Sequence, residues 1–241
     1  MIKLEKGKKT DYLSDDKVQE LIERYKSNSD TVWNHEKIKE RLLESSNSKC
    51  AYCECQLQIE DSYVEVEHFK CKKRYPDEVV NWDNLLPSCK RCNLRKGSLD
   101  VVITPIINPY EDDPKLHLSI QACRLYPKGN VGSKGDNTIK KLALNDYERL
   151  LQSRFEASNR INKYIDDLVN NKSNIDYVRN NMITTLELCQ PDKAFSAFLA
   201  FTLLNNKDTK IIKQVLIDND LWDDDLNEMY ETCKKIALDS R

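Results

Sequence analysis

The sequence lacks a long hydrophobic run, and its start lacks an apolar segment. The most apolar stretch, residues 194–204, is shorter than the ~20 apolar residues that span a bilayer, so we expect a buried core helix there. The opening residues Met1-Ile-Lys-Leu-Glu-Lys do not have the pattern of a secretion signal. We therefore expect a cytoplasmic protein without a membrane partner.

The sequence also lacks an excess of charge of one sign, because 38 Lys and Arg residues stand against 40 Asp and Glu residues. This balance argues against a surface that is basic throughout, although a local basic patch is compatible with it. Cysteine, in contrast, is plentiful. Nine cysteines, an odd number, without a secretion signal favour reduced thiols or metal ligands over a disulfide framework.

Composition and hydrophobic periodicity divide the chain into an N-terminal helical segment (1–46), a cysteine-rich core (47–100), a loop-rich connection (101–135) and a C-terminal helical region (136–241). Within the core, residues 63–68 alternate like a strand. Within the connection, residues 116–120 and 123–126 favour a short hairpin. In the C-terminal region we expect helices near 147–169, 174–189, 192–205, 208–218 and 221–237.

Two Cys-x-x-Cys pairs, Cys50/Cys53 and Cys89/Cys92, predict a structural zinc site. Each pair can place two thiolates on one side of a tight turn, and two facing pairs make a tetrahedral all-sulfur site. Buried free thiols or a redox motif are the alternatives, but the first seldom gives paired spacings and the second needs only one pair. Cys55 is left out, because Cys53-x-Cys55 is a poorer chelating spacing. The remaining cysteines are interpreted as small apolar side chains.

Four polar residues between and beside the pairs have the chemistry that phosphodiester hydrolysis needs. His68 suits a general base near neutral pH, because the ordinary pKa of a histidine is ~6.5. Glu67 and Asn93 offer the hard oxygen ligands that Mg²⁺ or Mn²⁺ accepts. Asn84 is expected to fix the loop that carries His68 through hydrogen bonds to the backbone. Each of these residues alone has an ordinary structural explanation, and only their combination inside two zinc knuckles favours catalysis.

These residues together resemble the HNH (ββα-metal) nuclease motif: Cys50-x-x-Cys53, Val66-Glu67-His68-Phe69 and Trp82-x-Asn84-Leu85-Leu86-Pro87-x-Cys89-x-x-Cys92-Asn93-x-x-Lys96-Gly97. The resemblance implies an α+β fold with a small zinc-stapled ββα-metal core in a mostly α-helical chain. It also implies that His68 is the base, that Glu67 and Asn93 hold the catalytic metal, and that Asn84 positions the loop. Glu67 departs from the pattern, since many HNH proteins have Asp there, and no proline stands near position 71.

A wider resemblance covers about residues 45–160. Asn108-Pro-x-Glu-Asp-Asp-Pro114 and Thr138-Ile-x-x-Leu-x-Leu-Asn145 are similar to segments of the HNH effectors of Septu-type and retron-associated anti-phage systems. Members of that family act with an ATPase of the ABC/SMC-like class. The resemblance therefore implies an antiviral defense nuclease with an ATPase partner.

Basic residues crowd the motif and are expected to contact nucleic acid phosphates, with DNA favoured over RNA: Lys70, Lys72, Lys73, Arg74, Arg91, Arg95 and Lys96. An acidic stretch at 218–225 is either a solvated helix start or a docking surface anchored by Trp222. Two other functions stay open at this point. In the first, the chain is a zinc-knuckle module that binds nucleic acid or protein without cutting. In the second, it is an HNH nuclease of a restriction or mobile-element pathway.

Overall fold

A computed structural model describes residues 1–58 and 63–241, so residues 59–62 of the predicted core lie outside the described part. The chain divides into two compact units. The first unit comprises residue 1, residues 3–117 and residues 127–144, and the second comprises residue 2, residues 118–126 and residues 145–241. Within the described residues, every helix is too short or too polar to cross a membrane.

The first unit contains four α-helices among its described residues: α1 (Asp15–Asn28), α2 (Glu36–Ser45), α3 (Lys90–Lys96) and α4 (Lys134–Lys141). Helix α1 begins where the Ser14 side chain accepts a hydrogen bond from the Lys17 backbone amide, which satisfies one of the free donors of the first turn. The apolar faces of α1 and α2 close over a buried cluster that includes Leu21, Ile38 and Trp82. This cluster supports the strand on which the candidate site is built.

Strands β1 (Val64–His68) and β2 (Leu85–Cys89) form an antiparallel pair in the first unit. Their register places His68 opposite Leu85 and Val64 opposite Cys89. Helix α3 follows β2 without an intervening residue, and Cys89 is its N-cap, with its sulfur accepting from the Cys92 amide. The predicted strand–strand–helix order is therefore observed. Glu67 and His68 lie on β1 and Asn93 lies on α3, whereas Asn84 lies in the 3-10 turn that directly precedes β2.

The second unit is mainly helical. It contains a π-helical turn at Tyr147–Leu151, followed by α5 (Gln152–Asn170), α6 (Ile175–Glu187), α7 (Ser196–Asn205), α8 (Lys207–Asp218) and α9 (Asp224–Ile236). Three short strands, β3 (Leu118–Gln121), β4 (Arg124–Pro127) and β5 (Asp239–Ser240), are ordered β4-β3-β5. The five predicted helices and the adjacent strands at the predicted hairpin are thus confirmed, with ends shifted by a few residues.

The apolar stretch at 194–204 forms α7, a buried core helix as predicted. Its Leu199, Ala200 and Leu203 lie in the core cluster with residues of the other helices in the unit. Because α7 packs against α5, α8 and α9, most of its surface is buried, and the apolar composition of this helix fits that position.

Replacing Leu203 with alanine should lower the free energy of unfolding of the second unit by ~2–5 kcal/mol, because a fully buried leucine leaves a cavity when it is truncated. Ile211→Ala is the matched control, since the Ile211 side chain is 51% exposed and its loss should cost less than ~1 kcal/mol. Urea unfolding of both variants measures the difference. Equal losses would contradict the described core.

Candidate active site and zinc centre

The sulfur atoms of Cys50, Cys53, Cys55 and Cys89 lie within 4.8 Å of one another. The Cys53 and Cys89 sulfurs are 3.8 Å apart. A zinc ion with Zn–S bonds of about 2.3 Å in a tetrahedral site places its sulfurs about 3.8 Å apart, so the observed spacing fits that ion. Four thiols in one group, without a hard oxygen donor among them, have the softness that zinc accepts.

Cys92 also contacts this group, although it lies outside the set of four sulfurs. Its thiol interacts with the sulfurs of Cys50, Cys53 and Cys89, and the neighbouring sulfurs lower the pKa of the Cys89 thiol, with Cys50 contributing most. The prediction from spacing left Cys55 out and took Cys92. The structure brings both residues to the cluster. Cys50, Cys53 and Cys89 are therefore common to two possible sets of four ligands, and either Cys55 or Cys92 is the fourth.

Backbone hydrogen bonds explain why Cys55 joins the group. The Cys50 amide donates to the Cys55 carbonyl at 2.9 Å, and the Glu54 amide donates to the Cys50 carbonyl at 3.0 Å. Glu54 has a left-handed backbone, with φ of 62°. This turn folds the chain back after Cys53 and brings the Cys55 sulfur into the cluster. A spacing argument treats the backbone as regular and therefore misses it.

His68 is buried at the end of β1, and the structure fixes which of its nitrogens is free to accept a proton. Its Nε2 lies 2.9 Å from the Val79 carbonyl oxygen. A carbonyl only accepts hydrogen bonds, so Nε2 carries the proton and Nδ1 is the basic nitrogen. The ring also stands edge-on to Trp33 at a centroid distance of 4.9 Å. Burial, aided by the charge of Lys72, lowers the pKa of His68 to about 3, so the imidazole is neutral at neutral pH.

Glu67 is buried against α3 and forms an ion pair with Lys96, with 2.6 Å between Lys96 Nζ and Glu67 Oε1. Burial raises the pKa of Glu67 to about 7, and the positive charge of Lys96 opposes that rise. Lys96 contacts one side of the carboxyl group, at Oε1, and the second oxygen, Oε2, is a hard oxygen ligand of the kind that a divalent cation accepts.

Asn93 lies on α3, and its Nδ2 donates to Glu65 Oε2 at 2.6 Å. The amide group has one other polar atom, Oδ1, which this bond leaves available as an oxygen ligand. Glu65 is a site residue that the sequence reasoning missed. Strand alternation could have found it, because Glu65 and Glu67 are two positions apart on β1 and therefore share the face toward α3.

Asn84 holds the loop after His68 in place. Its Oδ1 accepts from the Lys70 amide at 2.7 Å, and its Nδ2 donates to the carbonyls of Lys70 at 3.1 Å and Glu78 at 3.0 Å. All three are bonds to the backbone. Asn84 is buried and does not line the cavity that Glu67, His68 and Asn93 share.

That shared cavity has a volume of about 340 Å³ and is lined by Glu67, His68, Lys72, Lys73 and Asn93, together with Cys71, Leu94, Gly97 and Ser98. Three of the four predicted catalytic residues therefore meet at one opening, with two lysines at its edge. A phosphate group entering here would approach a neutral imidazole, a carboxylate and an amide.

The seven predicted phosphate contacts occupy different environments. Lys73 and Arg95 are exposed, and Lys72 lies over the Trp33 ring, 4.5 Å from its centroid. Lys70 pairs with Glu78 at 3.2 Å, and Arg74 lies 3.9 Å from Asp100. Arg91 is half-buried, and Lys96 is fully buried in its pair with Glu67, so its ammonium does not face solvent.

Replacing His68 with glutamine should remove a pH dependence of stability. The folded pKa of His68 is about 3 and the ordinary value is 6.5, so the unfolded chain binds the additional proton as the pH falls below 6.5. Stability that is present above pH 6.5 is therefore lost on acidification. Between pH 7.5 and 5.5 wild type should lose ~1.4 kcal/mol more than His68→Gln. Urea unfolding at both pH values tests this, and parallel losses would exclude a neutral buried His68.

The purified protein should contain one zinc ion per chain, and Cys53→Ser should lose it, because Cys53 belongs to either set of four sulfurs. Cys55→Ser and Cys92→Ser should each keep zinc, since the other sulfur completes the site. Atomic absorption and thermal unfolding measure both effects. Cys123→Ser, in the second unit, is the control. Retention of zinc by Cys53→Ser would contradict the assignment.

Comparisons with known proteins identify relatives of this chain. No protein-family model matches the chain. A Septu protein PtuB of Bacillus thuringiensis is 36% identical over 229 residues, a match that covers 90% of this chain and 88% of that relative. A Septu protein PtuB of Bacillus mycoides (strain KBAB4) is 31% identical over 175 residues, or 60% of this chain and 56% of that relative. The chain therefore belongs to the Septu protein PtuB family.

Proposed function

We propose that the chain is a metal-dependent HNH-type endonuclease that hydrolyses phosphodiester bonds in nucleic acid. The observation that carries this proposal is the state of His68. Its Nε2 is committed to the Val79 carbonyl, its imidazole is neutral, and it lines one cavity with Glu67 and Asn93. A neutral histidine with a defined free nitrogen, next to two oxygen ligands, has the components of a hydrolytic site.

In this proposal His68 acts as the general base and takes a proton on Nδ1 from the attacking water. The Val79 carbonyl accepts a hydrogen bond from the opposite nitrogen, Nε2, and therefore favours the positive charge that develops on the ring. Glu67 and Asn93 would hold Mg²⁺ or Mn²⁺ through carboxylate and amide oxygens. A divalent ion in that place supplies charge neutralisation for the phosphate and the departing oxygen.

Substrate contact is proposed for exposed and half-buried basic residues around the cavity. Lys72 and Lys73 line its edge, and Arg95 is exposed on α3. Contacts of this type bind the phosphate backbone without reading bases, so binding should weaken steeply with salt. DNA is the favoured substrate.

The family to which the chain belongs is named for Septu, and the sequence resembles the nuclease effectors of such anti-phage systems. We propose the same role here, with an ABC/SMC-like ATPase as the partner that controls the nuclease. The near-neutral net charge of −2 supports dependence on a partner for substrate recruitment, because the whole surface does not attract nucleic acid strongly.

Incubation with supercoiled plasmid and Mg²⁺ or Mn²⁺ tests the proposed chemistry. Wild type should nick or linearise the plasmid, and His68→Ala should reduce the rate by ~10²–10⁴-fold, which is the usual contribution of a general base. His117→Ala is a matched control, because His117 lies in the same unit but outside the cavity.

EDTA should stop cleavage, and Mg²⁺ added back should restore it while the zinc content stays constant. Cleavage by His68→Ala at the wild-type rate would overturn the assignment of the base. Absence of cleavage by wild type, both alone and with the ATPase present, would favour a zinc-knuckle module that binds without cutting.

A further inference from the structure

Among the described residues of the predicted basic cluster, Lys96 alone has a fully buried charged group. Its side chain has 0% exposure, and its Nζ lies 2.6 Å from Glu67 Oε1 and 2.6 Å from the His68 carbonyl oxygen. It therefore contacts two consecutive residues of β1, each of which has a proposed part in catalysis. This geometry needs an explanation other than a contact with phosphate.

Burial of an ammonium group is costly unless a partner and hydrogen bonds compensate it. Lys96 has both, since Glu67 supplies the opposite charge and His68 supplies a carbonyl acceptor. A hydrophobic residue of similar length would fill the same space without that cost, so packing alone does not account for a lysine here. The charged end instead connects α3 to β1 at a defined distance.

The position of Lys96 along α3 relates it to Asn93, the third proposed catalytic residue of the cavity. Lys96 follows Asn93 by three residues, which puts both side chains on one face of the helix. Asn93 reaches β1 at Glu65, and Lys96 reaches it at Glu67 and His68. The helix is thus tied to the strand at two neighbouring points, one turn apart.

We propose that Lys96 is a positioning residue that keeps the oxygen ligands of Glu67 and Asn93 in register for the divalent metal. The proposal rests on the nuclease function proposed above and assigns to Lys96 a role in metal affinity in place of a role in substrate binding. Lys96 acts through Glu67 and through the backbone of His68, and it does not touch the reacting atoms.

Mn²⁺ titration of the zinc-loaded full-length protein, followed by electron paramagnetic resonance, tests this role without substrate. Lys96→Met should weaken Mn²⁺ binding by ~10–100-fold, the usual effect of removing a group that orients a metal ligand. Lys73→Met is the matched control, because Lys73 lines the same cavity but is exposed, and its Mn²⁺ affinity should stay within about twofold of wild type.

Plasmid binding at several salt concentrations should affect the two variants in the opposite way to Mn²⁺ binding. Lys73→Met should reduce the salt dependence by about one phosphate contact, whereas Lys96→Met should leave both affinity and salt dependence unchanged. A reduced salt dependence in Lys96→Met would identify a phosphate contact and overturn the proposal. Mn²⁺ binding by Lys96→Met that equals or exceeds that of wild type would also overturn it, because the ammonium would then compete with the metal.

Zinc content and circular dichroism establish whether Lys96→Met is folded. If that variant loses zinc, Lys96→Arg carries the test, since arginine keeps the charge and the donors but changes their spacing. Lys96→Arg should bind Mn²⁺ more weakly than wild type, and equal affinity would overturn the positioning role. Absence of Mn²⁺ binding by wild type itself would instead overturn the proposed metal site.

Discussion

The close approach of the cysteine sulfurs is the constraint on which the candidate site depends. Cys89 ends β2, caps α3 with its sulfur and stands 3.8 Å from the sulfur of Cys53. The same residue is therefore a member of the cysteine cluster, the last residue of a strand and the N-cap of a helix. Any ion that draws these sulfurs together also fixes the angle between β2 and α3. That angle determines where Asn93 and Lys96 lie relative to β1.

Two of the candidate catalytic side chains share a physical feature, because a hydrogen bond occupies one polar atom of each and leaves another defined atom available. Val79 occupies Nε2 of His68, and Glu65 occupies Nδ2 of Asn93. Burial strengthens these interactions, because a polar group that loses them in a dry interior has no water to replace them. The site is organised in advance by neighbours that take no part in the proposed reaction.

The sequence allowed much of this arrangement to be predicted, for reasons that lie in short-range geometry. The paired cysteine spacing, the alternation before His68 and the helical periods of the second unit are local patterns, and the structure follows them. Glu65, Cys55 and the burial of Lys96 were not predicted. Each depends on which elements pack together, and a charge or thiol in sequence does not reveal whether it ends in solvent or against a neighbour.

The direct passage from β2 into α3 also limits how this part of the chain can change over evolution. One residue added between Cys89 and Asn93 would turn every later side chain about 100° around the helix axis. One residue added within β1 would exchange its two faces and direct Glu67 away from α3. Change in this region should therefore proceed by substitution at constant length.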